Sequence, residues 1–196
     1  SNNTGHRIVE MVKENIKFNE FFTKESFHNG ITTLMSFGGA TNAIIHLLAI
    51  AGRTNVKLTL DDFNLISEIT PVIANLKPSG EKLMEDLHYA GGISGLLKNV
   101  EDLLYKNVKT VSGKKLSEII SNAEIYNHEI IKSKLNPINE MGSIAILKGS
   151  LAPNGAVIKV AAASKKFYEH TGKALVYDSA QDLSDNIDNP DLDVDE

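Results

Sequence analysis

The residues of this sequence best suited to holding an anion are Gly38-Gly39-Ala40-Thr41-Asn42. Two glycines let a ligand come close to the backbone. Thr41 and Asn42 stand where a helix begins, and free N–H groups there attract a carboxylate or phosphate. The same residues also suit a glycine C-cap followed by a threonine N-cap between two packed helices, with no ligand involved. Lys77, beside Pro78 and Gly80, offers a cation to an anionic substrate; a plain turn lysine is the competing reading. Glu85 and His88 stand three apart on one predicted helix face. That spacing can hold a metal or pair an acid with a base, and it equally describes a solvated surface. His46 lies in an apolar stretch and reads as a core residue with one hydrogen bond. The histidines at 6, 28, 46, 88, 128 and 170 form no pair at ligand spacing. The run Asp191-Leu-Asp-Val-Asp195 is acidic, but it lacks the glycine and distal glutamate of a complete calcium loop.

The elements that must position these residues are legible from periodicity. Apolar residues at 8, 9, 11, 12 and 16 predict an amphipathic helix over Gly5 to Ile16. A second helix is predicted over Lys24 to Phe37, ended by Gly38-Gly39. Asn42 to Ala51 is apolar almost all round, as a buried helix would be. Thr59-Leu-Asp-Asp62 has capping-box spacing and opens a helix that stops at Thr70-Pro71. Val72 to Leu76 reads as a short buried strand and Lys77 to Gly80 as a turn. Helices are predicted over Glu81 to Ala90, Ile93 to Tyr105 and Lys114 to Ala123. Beyond about residue 130 the pattern turns to strands, at Ser143 to Lys148, Ala156 to Ala161 and Lys173 to Tyr177. Leu151-Ala-Pro-Asn-Gly155 supplies the turn between the first two. A helical part followed by a β-rich part predicts two folding units, with the boundary near Lys132 to Met141. The strands of the second part predict unpaired edges, exposure of Val157, Ile158, Val160 or Val176, and self-association.

Composition narrows the chemistry. Of 196 residues 42% are hydrophobic and 23% charged, an ordinary globular balance. The longest apolar stretch, Ala43 to Ala51, is too short to span a membrane. No signal-peptide core opens the sequence. A soluble, cytoplasmic protein is expected. Eight of the 25 acids fall between Asp178 and Glu196, where there is no base, so residues 1–177 are close to neutral. No basic run with interleaved aromatics suits nucleic acid. The absence of cysteine excludes disulfides, a cysteine nucleophile and thiolate-held metal or cluster within these residues.

Several stretches, taken in order, resemble the dihydroxy-acid dehydratase and phosphogluconate dehydratase family. They include Phe37-Gly-Gly-Ala-Thr-Asn-Ala43, His46-Leu-Leu-Ala-Ile-Ala51, Leu58-Thr-Leu-Asp-Asp-Phe63, Leu76-Lys-Pro-Ser-Gly80 and Met84-Glu-Asp-Leu-His-Tyr-Ala-Gly-Gly92. The series continues through Thr110-Val-Ser-Gly-Lys114, Asn136-Pro137, Ala145-Ile-Leu-Lys-Gly149, Leu151-Ala-Pro-Asn-Gly-Ala-Val-Ile-Lys159 and Val176-Tyr-Asp-Ser179. Each piece is weak alone; the ordered set covers nearly the whole chain. Ile125-Tyr-Asn127, Ala161-Ala-Ala-Ser164, His170-Thr-Gly-Lys173 and the acidic run from Ile187 to Glu196 look like the sugar-acid branch.

The resemblance implies an α/β fold class. Residues 1–131 would be the mostly helical end of an α/β N-terminal, cluster-binding domain. Residues 132–196 would be a linker and the incomplete start of a β-barrel-like C-terminal domain. It implies removal of water from a 2,3-dihydroxy acid, such as arabinonate, xylonate or dihydroxy-isovalerate, giving a 2-keto-3-deoxy acid. An iron–sulfur cluster acts on the leaving hydroxyl in such enzymes, magnesium holds substrate, and a serine takes the proton. The family's cluster cysteines, most of its magnesium ligands and its catalytic serine map outside these residues. No established catalytic or metal residue carries over, and no cofactor is expected on this chain alone, which is predicted inactive by itself. Substrate contacts are expected from Gly38, Gly39, Thr41, Asn42 and Lys77, in a homo-oligomer. Ala40 stands where the family usually has serine, Lys132 to Asn136 departs from the usual Arg-Pro-Leu-Asp-Asn, and Ser150 replaces a common asparagine. The competing reading is a truncated, non-catalytic homologue that serves as a structural or partner-binding module.

Overall fold

The computed structural model describes residues 2–192. The chain divides into two compact units, Ser1–Ala162 and Ala163–Glu196. The fold class is α/β, with helices preceding a small sheet. In the first unit α1 spans Asn2–Lys13, α2 Lys24–Phe37, α3 Asn42–Ala51 and α4 Leu60–Ile69. Then come α5 Met84–Tyr89, α6 Gly92–Asn99 and α7 Leu116–Ser121, followed by β1 Ile144–Leu147 and β2 Ala156–Lys159.

Local chemistry sets most helix ends. The Thr23 hydroxyl accepts the Ser26 N–H at 3.2 Å and opens α2. Gly38, with φ of 78°, closes α2 in the left-handed region that favours glycine. The Thr59 N–H donates to the Asp62 carboxylate at 2.8 Å, the capping box expected at the start of α4. The helix expected from Glu81 instead begins at Met84. Asn75 takes the preceding residues, accepting Glu81 N–H on its side chain at 3.0 Å and Lys82 N–H on its carbonyl at 3.2 Å. The Leu83 N–H then donates to Asp86 at 2.7 Å. The helix expected over Ile93 to Tyr105 ends at Asn99 and gives way to a 3-10 turn, Glu101–Leu103.

Two larger cores and a smaller cluster, Leu104 with Leu116 and Ile120 of α7, hold the unit together. One core joins α2, α3, α4 and β1 through Ile31, Met35, Ile44, Phe63, Ile66 and Ile144. The other packs α5 and α6 on the segment 72–76 and on Ile130 and Ile131. Burying each of these large side chains contributes roughly 1.5–3 kcal/mol. The segment Val72 to Leu76 is buried apart from half-buried Asn75. It pairs only through isolated bridges, Val72 with Asn139, Ala74 with Ile131 and Leu76 with Lys82, rather than as a continuous strand. The chain turns away between Ile131 and Asn139, where the Asn136 N–H donates to the Ser133 carbonyl at 2.9 Å.

β1 and β2 form a two-stranded antiparallel sheet with Ile144 opposite Lys159 and Leu147 opposite Ala156. The hairpin is seated on α4. Ser67 Oγ donates to the Ile144 carbonyl at 2.6 Å, and the Ile146 N–H donates to Asn64 Oδ1 at 3.2 Å. Compact packing therefore continues through the hairpin to Ala162. Val157, Ile158 and Val160 are half-buried.

Two expectations are corrected. α3 forms where predicted, but it is not a buried helix: Ile44 and Ala51 are covered, while Ile45 is 68% and Ile50 38% exposed. Only one stripe of α3 meets the core of this unit, and the described residues supply nothing to cover the rest. Lys173 to Tyr177 does not form a strand, and Val176 is 85% exposed.

Among the described residues the second unit contains a 3-10 turn, Lys165–Phe167, and one helix, α8, Ala180–Asn186. Ser179 Oγ caps α8 by accepting the Asp182 N–H at 3.0 Å. The sequence signal for this helix is the capping spacing of Ser179 and Asp182. Residues 193–196, which end the acidic tail and most of the calcium-like run, lie outside the described residues.

Candidate functional site

The glycine pair sits at the junction of α2 and α3. Both the Gly38 and Gly39 N–H groups donate to the Leu34 carbonyl, the latter at 3.0 Å. A Cβ on Gly39 would run into the Leu34 side chain. The capping geometry alone therefore accounts for both glycines. Thr41 occupies the N-cap position of α3, but its side chain makes no capping bond. Thr41 is half-buried and Asn42 exposed, so neither is sealed in the core.

The turn carrying Lys77 approaches the same place. Its Lys77–Pro78 peptide is cis. The Lys77 N–H donates to the Lys82 carbonyl at 2.8 Å and the Gly80 N–H to the Leu76 carbonyl at 2.7 Å. A Cβ on Gly80 would lie 2.7 Å from the Leu76 nitrogen, so the turn requires glycine there. Gly38, Ser79, Gly80, Asn139, Ser143 and Ala161 together line a small cavity of about 60 Å³. Gly38 and the turn after Lys77 thus meet. Thr41, Asn42 and Lys77 are not in the cavity wall, and the Lys77 side chain is exposed.

Two residues absent from the sequence-based set shape this place. Lys159 Nζ donates to the Gly38 carbonyl at 2.9 Å and so ties β2 to the glycine turn. Ser143, 1% exposed, precedes β1, and its Oγ is buried without a hydrogen-bond partner. Gly142 beside it is close-packed, since a Cβ there would collide with Ser67 and lie 3.0 Å from Met35 Cβ. The local signal is Gly142 directly before the strand predicted from Ser143.

The other candidates separate. Glu85 and His88 are both exposed, and the His88 ring lies 5.4 Å from Tyr89, edge-on. His46 is exposed rather than a core residue, because it lies on the uncovered side of α3; it lines a groove of about 730 Å³ with Phe18, Phe22, Ile50 and Arg53. A half-buried titratable group lies elsewhere. His28 lies edge-on to Tyr105 at 4.9 Å, and burial, reinforced by Lys24, holds its imidazole below the ordinary value.

An iron–sulfur cluster needs thiolate ligands, with imidazole replacing some of them in certain centres, whereas magnesium takes one or two carboxylates together with waters and substrate oxygens. The chain has no cysteine, and among the described residues no three histidines, aspartates or glutamates gather closely enough to hold a metal. Without cysteine the residues present do not fit a thiolate-held cluster. Among the described residues no helix is long and apolar enough to cross a membrane.

Comparison with known proteins gives a consistent relation. Residues 1–119 match the family model for the dihydroxy-acid/6-phosphogluconate dehydratase N-terminal region, and residues 129–196 match the model for the C-terminal region. The L-arabinonate dehydratase of Rhizobium leguminosarum bv. trifolii is 43% identical over 195 residues, covering 98% of this chain and 34% of that protein. The dihydroxy-acid dehydratase of Saccharolobus islandicus (strain L.S.2.15) is 49% identical over 187 residues, covering 91% of this chain and 33% of that protein. The chain spans about a third of the length of the curated relatives it matches. On these matches the chain belongs to the dihydroxy-acid/6-phosphogluconate dehydratase family.

Proposed function

We propose that these residues are a segment of a hydro-lyase that dehydrates a 2,3-dihydroxy carboxylic acid to a 2-keto-3-deoxy acid. The substrate class is a sugar acid such as arabinonate or xylonate, or dihydroxy-isovalerate. The observation that carries this reading is the ordered match to both halves of one dehydratase family within a single chain. In this reading residues 1–131 close an N-terminal domain, and residues 132–196 open a barrel-like C-terminal one.

The role of this segment is to bind and orient. The glycine turn and the start of α3, at Gly38, Gly39, Thr41 and Asn42, face the substrate carboxylate. The exposed Lys77 amine supplies a cation on a turn whose Ser79 and Gly80 meet Gly38 at the small cavity. Asn42 and Lys77 are exposed, as residues that contact a ligand must be. Iron–sulfur and magnesium chemistry, which makes hydroxide a tolerable leaving group, belongs to residues outside this segment. A cytoplasmic homo-oligomer completes the reading, and the uncovered face of α3 supports association.

The test is to express the complete reading frame that encodes these residues without oxygen and assay keto acid formation. Arabinonate, xylonate and dihydroxy-isovalerate should be offered separately. Turnover of one or more, with KM raised by Lys77→Ala at nearly constant kcat, is expected. An iron-loaded protein inert toward all three would overturn the proposal. An unchanged KM in Lys77→Ala would remove Lys77 from the binding set. Sedimentation at several concentrations tests the oligomer, and a monomer throughout would refute it.

A further inference from the structure

We infer that the cavity at Ser143 is a binding site for one or two water-sized oxygen groups, which join the Gly38 turn, the Ser79–Gly80 turn and the entry to β1. The inference stands apart from the dehydratase reading, because it rests on a buried hydroxyl and a volume. Ser143 is 1% exposed, and its Oγ has no hydrogen-bond partner. It is the sole buried side-chain polar atom so placed among the described residues. A buried hydroxyl without a partner is costly, and native folds satisfy such groups with protein or with an ordered oxygen. No described side chain reaches it.

The cavity has the right size and lining for that oxygen. Its volume is about 60 Å³, room for one or two water-sized groups and too little for a whole sugar acid. A bound water needs two to four polar partners. Besides Ser143, the lining residues carry the Ser79 hydroxyl and the Asn139 amide. The Gly38 carbonyl accepts Lys159 on one lone pair and has a second to offer. Val72, Ala74, Leu76 and Ile138 form the apolar part of the wall. The chemistry required is a hydroxyl-type oxygen that both donates and accepts. Solvent water and the hydroxyl of a bound polyol both have it.

Ser143→Ala separates the possibilities by sign. If an oxygen group is bound, the substitution removes its main anchor, and Tm falls by about 2–4 °C for a domain of this size. If the cavity is dry, the substitution removes an unsatisfied hydroxyl, and Tm stays level or rises. The melting point of the 196-residue chain and its Ser143→Ala variant is measured in buffer and again with L-arabinonate. A lower Tm for the variant in buffer alone assigns the oxygen to water. Equal values in buffer, with an arabinonate-induced rise lost only in the variant, assign it to a ligand hydroxyl. A variant as stable as the parent or more so under both conditions overturns the site. A crystal structure of the parent chain gives the independent readout. Density within hydrogen-bonding distance of Ser143 Oγ is expected there, and an empty cavity at high resolution refutes the inference.

Discussion

Replacing Lys159 by methionine tests whether the hairpin holds the glycine turn in place. The side chain keeps most of its length and apolar stem, so the change removes mainly the donor. That donor reaches the Gly38 carbonyl at 2.9 Å across 121 residues of sequence. A hydrogen bond from a charged group contributes about 1.5–3 kcal/mol when buried. Lys159 is half-buried, water can replace part of the bond, and the freed side chain regains entropy, so the net loss is set at about 1 kcal/mol. For a domain of this size that lowers Tm by about 2–4 °C. The effect should also be local. Amide hydrogen exchange at Gly38 to Ile44 should speed up, while amides of α5 and α6, which pack in the other core, should keep their protection. Lys159→Arg, which keeps a donor, should retain part of the stability. If Lys159→Met melts with the parent and exchange at Gly38 to Ile44 is unchanged, the contact holds nothing and the coupling argument fails.

Two neighbouring residues of α3 should respond very differently to alanine. Ile44, 1% exposed, should cost about 2–5 kcal/mol on truncation, whereas Ile45, 68% exposed, should change stability by less than about 0.5 kcal/mol; comparable urea midpoints would show that α3 is seated differently. His28 gives a pH dependence of known sign. Burial and Lys24 hold its imidazole below the ordinary 6.5, so the unfolded chain binds the proton first as pH falls. This contribution to stability is complete above pH 6.5 and is lost as pH drops from there through the folded value. Urea titrations across that range should show the slope, His28→Gln should flatten it, and an identical slope in the variant would exclude His28 as its source.

The sequence by itself determined the elements whose ends are fixed within a few residues. The Thr59–Asp62 box, the Gly38 cap and the Thr70-Pro71 stop gave α4 and the end of α2 almost to the residue, because a cap is a bond between near neighbours. The turn at Leu151 to Gly155 placed the hairpin for the same reason. Family membership was legible too, since ordered motifs survive whether or not their partners are present.

Tertiary structure decided the rest. The all-round apolarity of α3 promised burial, yet burial depends on what packs against a helix, and only the stripe carrying Ile44 and Ala51 finds a partner here. Lys173 to Tyr177 has strand composition yet forms no strand, because composition alone does not build a ladder. The small cavity was hidden most completely. Gly38, Gly80, Ser143 and Lys159 meet only because Ser67 and Asn64 of α4 bind the backbone of β1 and fold the hairpin onto the helices. No spacing along the chain encodes that meeting. It follows from long-range packing, which brings together residues that no periodicity relates.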